Sequence, residues 1–131
     1  MKNLTKSLSM LISITVLSAW TFRFTKPSIF RGGEANNMID EFALYGLDES
    51  LMIVVGSVKV VLAILILLGA LKFSVLLIPS AAAMMLFMAA AVYFHISVGD
   101  GLIPTIPSAS MLISCLLVIL IESKILVKKK S

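Results

Sequence analysis

The sequence predicts an all-α integral membrane protein, a four-transmembrane-helix bundle with a short amphipathic outer helix between spans one and two. Three observations carry this reading. Sixty per cent of the residues are hydrophobic, against about 45–50% in a soluble domain. The mean hydropathy is +1.08. Apolar windows at Leu8–Phe24, Leu51–Leu71, Phe73–Ile96 and Leu102–Ile121 each approach the roughly 20 residues that cross about 30 Å of hydrocarbon at 1.5 Å per residue. At 131 residues the chain, 1–131, reads as one membrane domain without a folded soluble module.

The first window is diluted by Ser7, Ser9, Ser13, Thr15, Ser18 and Thr21. Lys2 and Lys6 ahead of an apolar run also resemble a signal peptide, but no small-x-small cleavage pattern follows. The window ends in Trp20, Phe22 and Phe24, which suit an interfacial aromatic belt. After the chain break expected at Arg31-Gly32-Gly33, Met38, Ile39, Phe42 and Tyr45 fall at near-helical spacing, opposed by Asn37, Asp40 and Glu41. This spacing predicts a short interfacial helix stopped by Gly46. It is read either as an ordinary surface helix or as a lid, carried by Asp40, Glu41, Phe42 and Tyr45, over a pocket beneath it.

Spans two and three are separated by little more than Lys72, so they form a tight antiparallel hairpin. Small residues at Gly56, Ala63 and Gly69 mark the faces where helices approach closely, because lipid gives no hydrophobic drive for association. Span four starts near Pro104 and Pro107, which a first helical turn tolerates because its amide donors have no intrahelical partner. Glu122 and Lys124 are expected where that span leaves the membrane.

Lys2, Lys6, Lys72, Lys124 and Lys128–Lys130 gather on one side of this topology, against Arg23, Lys26 and Arg31 on the other. The positive-inside rule then puts both termini in the cytoplasm of a cell inner (plasma) membrane. The basic tail anchors topology and meets anionic lipid. A pI near 9.4 needs no nucleic-acid partner once these flanks are counted.

Lys59 is the only charge between Glu49 and Lys72. A lysine at the centre of a span costs about 2.5–3.5 kcal/mol on insertion scales, which makes an ionisable group there a candidate for function. It lies about 12 Å below Leu51 at 1.5 Å per residue. The same arithmetic puts His95 near the outer boundary of span three, Asp100 just beyond it, and Ser110 at matching depth on span four. Lys59, His95, Asp100 and Ser110 therefore define an expected polar pocket opening outward, with Lys59 snorkelling towards His95, Asp100 and Asp40 or Glu41. The competing readings are a structural ion pair for Lys59 and a satisfied boundary residue for His95. Gly56, Lys59 and Ala63 share a helix face, so Lys59 is expected to face protein.

Met84, Met88 and His95 also share a face, a soft set for Cu(I). Methionine as a core gap-filler explains them better, and no metal site is expected. A single cysteine, Cys115, excludes an internal disulfide and a Cys-x-x-Cys redox centre. No phosphate loop, nucleophile elbow or haem attachment motif is present, so a self-contained enzyme is not expected.

The outer segment Phe42-Ala43-Leu44-Tyr45-Gly46-Leu47, then Val55-Gly56-Ser57-Val58-Lys59 through Leu67-Leu68-Gly69, Met84 and Ala89–Ala91 leading to His95, and Gly99-Asp100 before the last span resemble the DoxX-like family of small four-helix membrane proteins. The resemblance covers about Trp20–Glu122. Members proper often carry a glutamate where Lys59 stands, which places this chain nearer the divergent branch. The resemblance implies a non-catalytic accessory role beside a quinone-linked redox complex, with quinone as the one ligand it brings to mind. It also implies an assembly factor or chaperone that holds a partner's membrane segment. A small transporter is a third class, for which Lys59 would supply the charge. The lipid bilayer, another membrane protein or quinone are the partners these readings name.

Overall fold

The computed structural model describes residues 2–21, 23–26 and 35–130, with 129 and 130 by backbone alone. Five α-helices follow in order: α1 (Lys2–Ala19), α2 (Met38–Leu44), α3 (Glu49–Leu71), α4 (Leu77–Ser97) and α5 (Leu102–Lys130), with a 3₁₀ turn at Ser74–Leu76 before α4. The expected break at Arg31-Gly32-Gly33, and Phe22 of the expected aromatic belt, lie outside the described residues.

The four long helices pack as a ring: α1 lies against α3 and α5, and α4 lies against α3 and α5. Its core is built from Ile12 and Val16 of α1, Ala63 and Ile66 of α3, Leu77, Ala81, Met84 and Met88 of α4, and Met111, Cys115 and Val118 of α5. Among the described residues, three helices are long and apolar enough to cross a membrane: Glu49–Leu71, Ser74–Ser97 and Leu102–Lys128. Much of their aliphatic surface faces outward, as at Leu86 (71% exposed) and Val61 (54% exposed). Helix α1 shows the same inversion more sharply. Thr5, Ser9 and Ser13 are buried on its inner face, while Ile14 is 61% exposed on its outer one. A face of aliphatic side chains turned outward around a partly hydroxylic interior suits lipid, where burial of apolar groups brings no gain.

The first window needs correction at both ends. Helix α1 starts at Lys2 and stops at Ala19, because the chain turns back on itself there. The Arg23 amide bonds Ser18 O at 3.0 Å, and its guanidinium donates to Thr15 O at 3.1 Å and Ser18 Oγ at 3.1 Å. A cation thus bonds the Thr15 carbonyl near the end of α1, where the helix dipole is negative. Trp20 and Phe24 are therefore not on a spanning helix.

Glycine stops fix the other ends. Gly46, at φ 76°, closes α2 with Leu47 N on Phe42 O and Gly46 N on Ala43 O, both 3.0 Å, a Schellman motif. Gly99, at φ 73°, closes α4 in the same way, with Asp100 N on His95 O at 2.9 Å and Gly99 N on Ile96 O at 3.1 Å. Asp48 starts α3 by accepting from Leu51 N at 2.8 Å. The hairpin between α3 and α4 is longer than Lys72 alone, since α-helix resumes only at Leu77. Pro79 lacks an amide donor and its ring conflicts with the carbonyl four residues back, so the chain passes Ser74–Leu76 as 3₁₀. Helix α5 runs 29 residues with Pro107 inside it, well past Ile121. Glu122, on this continuation of the helix, is buried.

Candidate ligand cavity

Trp20 sits where α1 ends, and its indole covers Gly56 of α3: a Cβ added at Gly56 would collide with the ring. It packs edge-on to Phe42 at 5.8 Å and tilted to Phe24 at 5.9 Å. Met38, Phe42 and Met52 complete a second small core joining α2 to α3. Together these contacts seat α2 over one end of the helix ring, and between it and the long helices is a cavity of ≈ 480 Å³. That volume falls within the range of about 300–1,000 Å³ typical of small-molecule sites.

Every helix contributes to its wall: Val16 and Trp20 near the end of α1, Phe42 and Tyr45 from α2, Val55 and Lys59 from α3, Met88, Phe94 and His95 from α4, and Pro107, Ser108 and Met111 from α5. Lys59 occupies the deepest of the lining positions on α3, two turns below Leu51. It is only partly buried. Its ammonium lies 5.8 Å from the Trp20 ring centroid. It makes no hydrogen bond or ion pair with any described residue, though the Glu41 carboxylate is within electrostatic reach. The snorkelling contacts expected with His95, Asp100 and Asp40 are not formed.

His95 and Asp100 meet instead at the rim. The Gly99 stop folds the chain so that Asp100 Oδ2 lies 2.7 Å from His95 Nδ1, a contact that puts the ring proton on Nδ1. The Tyr45 hydroxyl donates to Glu41 Oε1 at 3.1 Å and lies 3.2–3.4 Å from the His95 ring nitrogens. Glu41 Oε1 is 4.0 Å from His95 Nε2. The Tyr45 ring also stacks on Phe94 at 5.3 Å. A buried polar chain, Glu41–Tyr45–His95–Asp100, thereby ties α2 to the end of α4.

The lid helix is rotated from its expected setting. Met38, Glu41 and Phe42 are buried, whereas Ile39 is 41% exposed. Met38, Glu41, Phe42 and Tyr45 are spaced i, i+3, i+4 and i+7, a single helix face, and Tyr45 and His95 give the Glu41 carboxylate its reason to be inside. Asp40 does not line the cavity: its amide is capped by Asn37 Oδ1 at 2.8 Å and its carboxylate accepts from Asn36 N at 3.4 Å. Ser110 is exposed and is no part of the wall. Ser108 is, because two residues turn a helix by about 200°, which depth alone does not register.

Of the small residues, Gly56 receives an indole rather than a helix backbone. Ala63 O accepts from Ser13 Oγ at 2.8 Å. A Cβ on Gly69 would lie 3.1 Å from Leu77 N, so that glycine lets α4 start against α3. Met84 and Met88 are core residues, and among the described residues no three His, Cys, Asp or Glu side chains form a metal-binding group. Sequence reasoning missed Trp20, Arg23 and Ser108 as site residues. Gly56 was the available signal for Trp20, since a glycine on a buried helix face announces a close neighbour without naming it.

Helices with lipid-suited surfaces around a cavity beneath a short helix define a class: a small all-α membrane protein with a ligand-sized chamber at one end. The sequence matches the model of the DoxX-like family over residues 10–120, and the chain belongs to that family. No curated protein and no solved structure matches it.

Proposed function

We infer that this chain is a four-span accessory protein of the cell inner membrane, with both termini cytoplasmic and α2 on the outer side. It holds an amphipathic ligand in the chamber under α2 and has no catalytic step of its own. A quinone-linked redox complex is the partner class we favour for it. The observation that supports this reading is Lys59, an ammonium in an aromatic and aliphatic chamber with no protein anion in contact. A cation over an indole gains about 0.5–2 kcal/mol, while stripping water from an ammonium costs several. A bound ligand with polar atoms supplies the contact that the indole does not.

The test is affinity purification of wild type beside Lys59→Met, with mass spectrometry of proteins and lipids and with thermal stability measured on the same preparations. Loss of a copurifying quinone, lipid or oxidoreductase at unchanged stability supports the reading. A set of unrelated membrane proteins retained by both would indicate an assembly factor instead. Collapse of stability with ligand content unchanged per folded molecule would make Lys59 a structural anchor.

A further inference from the structure

Among the described residues, Arg23, Lys26, Lys59 and the Glu41 carboxylate contribute charge to the chamber wall, and that carboxylate accepts from Tyr45 at 3.1 Å. The other rim acid, Asp100, is held by His95 at 2.7 Å. Arg23 spends its donors on the end of α1. Lys59 makes no hydrogen bond or ion pair with a described residue: the Trp20 ring lies 5.8 Å from its ammonium, and Glu41 is within electrostatic reach without touching it.

From this we propose that the ligand is an organic acid, a single carboxylate on an apolar body, with the carboxylate on the Lys59 ammonium and the body against Trp20, Phe42 and Met111. The proposal rests on the ligand-holding reading above and adds the chemical class. A carboxylate supplies the anion that Lys59 lacks, and a charge-assisted bond is about twice as strong as a neutral one. A neutral ring carbonyl, as in a quinone, would leave the Lys59 ammonium without a contacting anion. The acid has two possible sources, a fatty acid from the surrounding leaflet or a soluble aromatic acid from the outer aqueous phase.

The chain carries its own probe, because Trp20 is the single tryptophan and it forms part of the wall. In nanodiscs of zwitterionic lipid at pH 8, dodecanoate, dodecanol and benzoate would be titrated against Trp20 emission for wild type, Lys59→Met and Lys59→Arg. Wild type is expected to respond saturably to dodecanoate at least 10-fold more tightly than to dodecanol. Lys59→Met should lower the acid to the level of the alcohol, and Lys59→Arg should restore the preference. Saturable benzoate binding identifies the soluble source, and its absence the lipid source. Equal binding of acid and alcohol by wild type overturns the proposal while leaving the chamber a ligand site. A full acid preference in Lys59→Met overturns it too. No response to any probe overturns the ligand reading as well. The wild-type comparison of acid with alcohol decides the matter even if a variant does not fold.

Discussion

Trp20 fills the space that a side chain at position 56 would need, and through that fit the end of α1 becomes the wall of the chamber in which Lys59 stands. An exchange of glycine for alanine inside a helix ordinarily gains about 1 kcal/mol. Here the added methyl meets a rigid indole, and overpacking costs about 1–3 kcal/mol. Gly56→Ala is therefore expected to destabilise the protein by about 0–2 kcal/mol net and to shift Trp20 emission towards longer wavelength. A thermal melt followed by intrinsic fluorescence measures both, and a stabilised variant with unaltered emission contradicts the fit.

Tyr45 is the link between α2 and α4. Removing its hydroxyl in Tyr45→Phe keeps the stacking on Phe94 and deprives Glu41 and His95 of a partner. Leaving buried polar groups short of a bond costs about 1–3 kcal/mol. The loss should be local, so hydrogen exchange of the α2 amides is expected to accelerate about 10-fold while α3 below Lys59 keeps its protection. Uniform loss across all helices would show that the link stabilises the whole fold instead.

A methyl group at Gly99 would meet open space, so substitution there tests backbone conformation alone. At φ 73° an alanine is strained by about 1–2 kcal/mol, and asparagine by less. Gly99→Ala should lower thermal stability more than Gly99→Asn, with both loosening the contact of Asp100 with His95. Equal behaviour of the two variants would mean that the turn relaxes.

Two serines on one face of α1 separate a made bond from an absent one. Ser13 Oγ donates to Ala63 O at 2.8 Å, whereas Ser9 Oγ is buried with no partner among the described residues. Inter-helix bonds of this type are worth about 0.6 kcal/mol in membranes, rising to about 1.7. Ser13→Ala should cost that much in an unfolding titration. Ser9→Ala should be neutral or stabilising, and a cost equal to that of Ser13 would reveal a partner for it.

Much of this architecture was legible from the chain because its causes are local. Uninterrupted apolar runs delimit α3 and α4 within a few residues, since lipid demands internally satisfied backbone over a fixed thickness. Gly46 announces the stop of the short helix because only a residue without Cβ enters that backbone region readily. The solitary charge at Lys59 announces itself by its cost. The short helix before α3 was also visible, from its spacing and its terminal glycine.

What the chain did not reveal depends on rotation and return. Each residue turns a helix by about 100°, so equal depth drew attention to Ser110 when Ser108 faces the chamber, and apolar spacing set Ile39 on the inner face of the short helix, where Glu41 is the buried residue. The fold back of Arg23 onto α1 shortened the first helix and carried Trp20 to Gly56, a contact between segments distant in sequence. Composition and periodicity determined which segments are helical and which residue would be costly to bury. Only the packing of those segments decided that Tyr45 joins Glu41 to His95, and that Lys59 faces a chamber with the Trp20 ring beside it. Pairings of this kind are set by helix rotation and by shape complementarity, neither of which has a period that a sequence can display.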